Sequence, residues 1–481
     1  MHFRPMWPEK IKHSLGSHLY AVYPLFTIIS VVIISCRISA VSRAHLWHKI
    51  PSPWSTVVAF GDSFSDSGNA AHITGGKYPS EPWYWHHRFS NGPNWIDNLI
   101  LDLGGLSKIK MRNFAHGAAT SDNAFLQGNL LGHQIPGTHQ QVRGFMLKSR
   151  QSGYPTPDST LYTVWTGASD CLALGGLGSF NANRNFTTAD IHESIFQNIL
   201  QLERESHNKV SHVLILTPPP VEDMPMVKSE KSSAARPAIQ RATESLTREL
   251  PYALLERFTT LGRTVMTDNF KTAPMHPPPL LPNHRKRAAS PITYYLSVDL
   301  PSTYDHTIPN EHNGTKSTTP SRQPRALRKR DNVAADIDGH SHPMPDASHS
   351  NIAAIRAKSA ASTDKNSGNG RKLEIMVYDA YHFIKHAEEN PACFDLNPAM
   401  VGQTCGEQHG CYDRVWLDDS NINTSIHYWM ARDINVRLHM WHLHTSGVNI
   451  QKVFKNSTRA QELELEMLGY ACPMRPAPIV F

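Results

Sequence analysis

The sequence predicts an α/β fold of three layers, a parallel sheet with helices packed on both faces. Three observations carry that prediction. Short apolar runs recur from about residue 54, helix-compatible stretches separate them, and each run passes directly into a polar, turn-forming cluster. Taken in order, the runs are Thr56–Phe60 before Gly61-Asp62-Ser63, Leu161–Trp165 before Gly167-Ala168-Ser169-Asp170, His212–Leu216 before Pro218-Pro219-Pro220, and Glu374–Tyr378 before Asp379-Ala380-Tyr381. Continuous apolar runs of this length suit strands buried on both faces. In an open α/β sheet, ligands bind beyond the carboxyl ends of the strands, so the four clusters are where chemistry is to be sought.

Between the third and fourth runs the character changes. Ala238 to Leu261 keeps leucines near helical spacing (Leu246, Leu250, Leu254, Leu255), with Pro251 expected to kink or divide the helix. Beyond it, residues 271–372 are rich in Pro, Ser, Thr, His, Asn and charges, and are expected to be a disordered or loosely held insertion. The organisation expected is therefore a leader over 1–44, the first part of the α/β domain over 54–270, the insertion, and the final strand, a site loop and a C-terminal helix over 373–481.

The leader rests on Lys10 and Lys12, an apolar run from Leu25 to Ile34 and small residues at Ser39, Ala40, Ser42 and Ala44, the order of a secretory signal peptide. A retained membrane anchor is the alternative, although Pro24 shortens the unbroken run. Secretion gives meaning to the Asn-x-Ser/Thr sequons at Asn185, Asn313, Asn423 and Asn456 and to a disulfide among Cys393, Cys405 and Cys411, whose spacing does not suit zinc. The net charge of +6 falls largely in His284–Arg287 and Arg325–Arg330, with no basic stripe interleaved with aromatics. Nucleic acid is therefore not an expected partner. The two runs end in Lys286-Arg287 and Lys329-Arg330, which have the form of dibasic processing sites. No metal or organic cofactor is implied, and oligomeric state is not readable.

Gly61-Asp62-Ser63 on a strand-to-helix turn places the Ser63 hydroxyl where it can attack an ester carbonyl while backbone N–H groups face the developing oxyanion. Phe60 to Asn69 resembles the first motif of the GDSL (SGNH) esterases and lipases. Arg88 to Trp95 resembles the segment that follows it in fungal and plant members, and Asn113 to Asn123 resembles the second motif. The resemblance covers about residues 54–225 and 373–440. It implies a three-layer SGNH-hydrolase (flavodoxin-like) fold and hydrolysis of carboxylic esters, either lipid acyl esters or acetyl groups on polysaccharide. It also implies Ser63 as nucleophile and an oxyanion hole built from the Ser63 N–H, the Gly117 N–H and a third-motif side chain, here Ser169 where the family carries asparagine.

The family's closing Asp-x-x-His matches Asp418 to Asn421, so Asp418 fits the orienting carboxylate and Asn421 stands at the histidine position. A carboxamide has no basic nitrogen near neutral pH and cannot take the serine proton. Loss of that base can cost on the order of a million-fold in turnover. His427 and His409 are the candidate replacements, although six residues of helix put His427 about 9 Å along the axis from position 421. Two readings stay open: an esterase with another base, histidine or water, and a catalytically impaired relative that binds an ester, glycan or lipid surface.

Overall fold

The computed structural model describes residues 52–149, 159–205, 210–229, 233–268, 293–300, 371–406 and 410–445. Apart from Leu300 and Arg371, these belong to one compact unit. The expected leader over 1–44, both basic runs, His409, the sequons at Asn313 and Asn456, and Cys36 and Cys472 lie outside the described residues.

Strand β1 (Thr56–Gly61) is buried along its whole length, as its unbroken apolar sequence requires. β2 (Lys110–Asn113) lies parallel to it on one side. β3 (Leu126–Leu130) and β4 (His133–Ile135) form a small antiparallel sheet of their own. β5 (Thr160–Trp165), again wholly buried, is parallel to β1 on its other side. β6 (Asn181–Ala182) joins β3, and β7 (Val210–Leu216) lies parallel to β5. After β8 (Val265–Asp268) and β9 (Thr293–Leu300), β10 (Arg371–Tyr378) returns to pair in parallel with β7. The main sheet therefore runs β2-β1-β5-β7-β10-β9-β8.

The chain leaves β1 for β2 on one side and returns to β5 on the other, so the carboxyl ends of β1 and β5 flank the point where strand order reverses. The clusters that follow these two strands are Gly61-Asp62-Ser63 and Gly167-Ala168-Ser169.

Two sequence expectations need correction. β8 and β9 are antiparallel, so the sheet is mixed at this edge rather than parallel throughout. Residues 293–300, expected within the insertion of 271–372, form a sheet strand. Leu296, Val298 and Leu300 are buried while Tyr295, Ser297 and Asp299 are less so, the period-two alternation of a half-covered strand. Eight residues of alternation vanish in the average composition of a hundred polar ones. What holds the strand is remote in sequence: Ser297 Oγ donates to Glu374 Oε1 (2.7 Å), and Arg437 donates to Thr293 Oγ1 (2.9 Å).

Helices α1 (Asn69–Ile73), α2 (Trp95–Leu103), α3 (Thr138–Lys148), α4 (Ala168–Leu174), α5 (Thr188–Glu205), α6 (Pro225–Lys228), α7 (Arg236–Thr260), α8 (Ala380–Glu389) and α9 (Thr424–Thr445) complete the fold. α2 packs on α9, which also meets α8, whereas α3, α5 and α7 pack in series. α7 is not divided at Pro251. The buried stripe Leu246, Leu250, Leu254 and Phe258 carries the helix through the one backbone donor that proline lacks. Among the described residues no helix is long and apolar enough to cross a membrane.

Candidate active site

The turn that carries Ser63 starts at Gly61, whose φ of 141° and close approach to β5 admit no side chain, since a Cβ would stand 2.0 Å from the Trp165 carbonyl oxygen. Gln141 on α3 fixes the strand end from both sides, accepting from Gly61 N–H and donating to Gly61 O, each at 2.9 Å. Ser63 follows, half-buried. Neither its N–H nor its Oγ has a hydrogen-bond partner among the described residues.

Asp66 turns the rest of the motif into a hub. Its buried carboxylate accepts from the N–H groups of Gly68 (2.7 Å), Asn69 (2.7 Å), Ala70 (3.0 Å) and Gly117 (2.7 Å). Side-chain amides lace the first two motifs together: Asn113 donates to Ser65 O and Ser67 Oγ, and Asn69 to the carbonyls of Asn113 and Ala115.

That hub corrects the expected role of Gly117. Its N–H is spent on Asp66, and its lack of a side chain makes room for Phe89, whose ring would lie 2.1 Å from a Cβ there. The next residue, Ala118, takes the left-handed conformation (φ 63°), and its N–H has no partner among the described residues. Ser63 N–H and Ala118 N–H are thus without a partner among the described residues, as are the N–H groups of Ser67 and Thr120. Ser169, in the first turn of α4, is buried, and its Oγ makes no hydrogen bond among the described residues. Its neighbour Asp170 is bound to Ser121 through both N–H and hydroxyl.

At Asp418 every direction of the carboxylate is used. Oδ1 accepts from the N–H groups of Ser420 (2.8 Å) and Asn421 (2.7 Å), and Asn421 Nδ2 reaches both oxygens at 3.1 and 2.9 Å. Tyr84 donates its hydroxyl to Oδ2 at 2.8 Å and meets the Tyr78 hydroxyl at 3.0 Å. Burial and the Asp418 charge push the Tyr84 phenol well above its ordinary value. The Asn421 carboxamide thus satisfies the carboxylate and offers no basic nitrogen.

The loop is braced from below. Leu417 N–H donates to Asn421 O, and Cys405, in a disulfide with Cys411, donates its N–H to Leu417 O. Cys393 is disulfide-bonded as well, and Cys171 is a buried free thiol. Asn91 accepts from Thr424 N–H and Thr424 Oγ1 donates to Pro93 O, which explains the Asn91-Gly92-Pro93 segment as an anchor for α9. Asn423 is fully buried, with Nδ2 donating to Cys411 O (2.8 Å), so a glycan beside the site is incompatible with the folded loop.

His427, expected as a candidate base, bonds to neither Ser63 nor Asp418. It is sealed on α9, both ring nitrogens lack a partner, and burial alone pushes its pKa down to about 3. His409 lies outside the described residues. Among those described, no histidine is hydrogen-bonded to Ser63 or Asp418.

The sequence reading missed three things: Gln141, the Tyr78–Tyr84 pair, and a second Asp-x-x-His at Asp379–His382, where Nδ1 and Oδ2 stand 2.6 Å apart. Burial opposes the charge on His382, yet Asp379 raises its pKa above the ordinary value. This pair sits at the end of β10, three strand spacings from β1, or about 14 Å. The spacing of its residues gave a signal, but the sheet order keeps it from Ser63. Among the described residues no cluster suits a metal ion.

Residues 57–272 match a family model described as GDSL-like Lipase/Acylhydrolase. Among curated proteins the chain is similar to the phosphatidylcholine-sterol acyltransferase of Aeromonas hydrophila, 30% identical over 180 residues, which are 37% of this chain and 48% of that one. It is also similar to the thermolabile hemolysin of Vibrio parahaemolyticus, 27% identical over 123 residues, 25% of this chain and 27% of that one. The chain thus spans about half the length of the first relative and about a quarter of the second. Solved structures include a putative GDSL-like lipase from Parabacteroides merdae (TM-score 0.24, 11% identity, 42% of this chain and 76% of that one). Another is a catalytic mutant of an acetylxylan esterase from Geobacillus stearothermophilus (TM-score 0.23, 13% identity, 44% and 83%). Ser63, the Asp66 hub and the Asn113–Thr120 segment all lie inside the span that is similar to the GDSL-like lipases and acylhydrolases.

Proposed function

We propose that the chain is a secreted serine ester hydrolase of the GDSL type whose turnover is held down by Asn421. Ser63 Oγ attacks the ester carbonyl, Ser63 N–H and Ala118 N–H face the oxyanion, and the alcohol leaves as the tetrahedral adduct collapses. The serine proton, which an imidazole would carry to the departing alcohol, passes here to water, and water returns a proton to the alkoxide as it leaves; a second water then attacks the acyl-Ser63 carbonyl, releasing the carboxylic acid and restoring the Ser63 hydroxyl. The observation that carries the reading is an unpartnered Ser63 hydroxyl together with an Asp418 carboxylate filled by a carboxamide. Secretion is supported by the order of charge, apolar run and small residues at the N-terminus and by the Cys405–Cys411 disulfide. The substrate class is carboxylic esters, of lipids or of polysaccharide.

Hydrolysis of p-nitrophenyl acetate and butyrate tests the reading. The parent is expected to show a slow rate that Ser63→Ala abolishes, and Asn421→His to raise kcat/KM by about 100-fold or more. Equal rates for parent and Ser63→Ala would remove Ser63 from the chemistry. The second reading, a pocket that binds esters without turning them over, is favoured by the complete satisfaction of Asp418. It predicts ester binding with no serine-dependent rate in the parent.

A further inference from the structure

Between α1 and the site loop runs a strap of aromatic rings. Its near end is tied to Thr74, the residue that closes α1, whose Oγ1 accepts from Tyr78 N–H at 3.2 Å. The rings of Tyr78, Tyr84 and Phe89 meet edge to face, with centroids 5.3, 5.4 and 6.1 Å apart. Phe89 fills the space beside Gly117, and the Tyr84 ring also packs against the cluster of Cys405, Cys411 and Leu417. Three phenylalanines would serve that packing equally well.

The hydroxyls are what packing leaves unexplained. Tyr84 has one phenolic proton, and it goes to Asp418 Oδ2 at 2.8 Å. The 3.0 Å contact between the two phenols therefore has Tyr78 as its donor, and the order runs from Tyr78 to Tyr84 to Asp418. Burial first, and the Asp418 charge with it, raise both phenols above their ordinary value, so both stay protonated over the range in which an imidazole titrates. Among the described residues no cation pairs with Asp418. Its other donors are the N–H groups of Ser420 and Asn421, the Ser420 hydroxyl and the Asn421 amide. Tyr84 thus gives Asp418 the one hydrogen bond that it receives from outside its own loop among the described residues. A donor on a carboxylate oxygen draws off part of its charge and makes it a weaker partner for a cation beside it.

We propose that Tyr84 is a positioning residue of the ester site, fixing the direction of Asp418 Oδ2 and taking up part of its charge, with Tyr78 reinforcing it from behind. The role rests on the ester reading above for the chemistry of Asp418, while the charge left on Oδ2 is measurable without turnover. Asn421→His supplies the probe, because an imidazole beside Asp418 reports that charge through its own titration. In the full chain labelled at histidine, the NMR signal absent from the parent gives the titration, for Asn421→His alone and combined with Tyr84→Phe or Tyr78→Phe. Loss of the Tyr84 hydroxyl is expected to raise the pKa of the introduced imidazole by about one pH unit, since Asp418 then keeps more charge for the imidazolium. Tyr78→Phe is expected to give a smaller rise in the same direction, because Tyr84 still donates but has lost the donor behind it. Wherever Ser63-dependent hydrolysis of p-nitrophenyl acetate is measurable, the acid limb of kcat/KM is expected to move by the same amounts. A strap that only packs would lower melting temperature and kcat and leave the titration where it was.

An introduced imidazole whose pKa does not rise when the Tyr84 hydroxyl is removed, in variants that melt as folded proteins, overturns the positioning role. A rise in a protein that hydrolyses no p-nitrophenyl ester sustains that role and sinks the hydrolase reading. Serine-dependent hydrolysis with an unmoved titration does the reverse.

Discussion

Asp62, the residue before Ser63, is almost wholly buried, with Oδ1 accepting from Phe64 N–H and Oδ2 without a partner. Burial, and secondarily the nearby Asp170 charge, push its pKa up to about 8 against the backbone hydrogen bonds that lower it. Asp66 and Asp170 are pushed up to about 6, again chiefly by burial. For a carboxyl raised in the folded state, the native protein holds a proton that the unfolded chain releases near pH 4. Its contribution is therefore complete below that pH and is lost as pH rises toward the folded value. His427 pulls the other way, since a buried imidazole with lowered pKa loses stability as pH falls below its ordinary value near 6.5. The two effects are separated by comparing variants rather than reading one profile. Asp62→Asn is expected to gain on the parent between pH 5 and pH 8, by about 5 °C or more in relative melting temperature, because a shift of this size is worth on the order of several kcal/mol. A constant gap between the two proteins across that range would mean that Asp62 is ionised in the native state.

At the level of elements, Phe89 links the Tyr84 strap to the second motif by filling the space left by Gly117. Gly117→Ala has no room without moving that ring, and overpacking of this kind costs about 1–3 kcal/mol. The variant is expected to melt lower by several degrees and, in an Asn421→His background, to lose turnover as the Ala118 amide moves. Unchanged melting would show that Phe89 yields freely. The same contacts explain what could be read from sequence. β1, β5, β7 and β10 were legible because burial on both faces writes an unbroken apolar run, and the turn at Ser63 because it follows such a run directly. Tyr84 was not, since its partner Asp418 is 334 residues away. Nor was β9, whose neighbour in the sheet, β10, begins about seventy residues later in the chain. Gly117 was legible as a position but not as a role. Only the Asp66 carboxylate shows that its N–H is taken, leaving Ala118 as an open donor.

For the molecule as a whole, the proposed secretion and the fold of the site loop are tested together at two sequons. Asn185 is exposed in the segment before α5, and its sequon threonine, Thr187, donates to Asp190 at 3.0 Å. A glycan there projects into solvent and meets no packed surface. Asn423 is the opposite case: its amide donates to Cys411 O and lies 3.2 Å from Cys405 Sγ, between the disulfide and the start of α9. Glycans are attached to the emerging chain before it folds, so a sugar on Asn423 would have to enter the interior or hold the Asp418 loop open. Chains modified there should fail to close the 405–411 segment and be retained. Expression through a eukaryotic secretory pathway, followed by peptide mapping of the secreted protein, is expected to find glycan on Asn185 and none on Asn423. Asn423→Gln is expected to lower yield, because a longer amide must fit where the shorter one is fully enclosed. Recovery of folded, secreted protein bearing sugar at Asn423 would mean that the loop carrying Asp418 and Asn421 is not closed in the way these hydrogen bonds require, and the site built on it would fall with it.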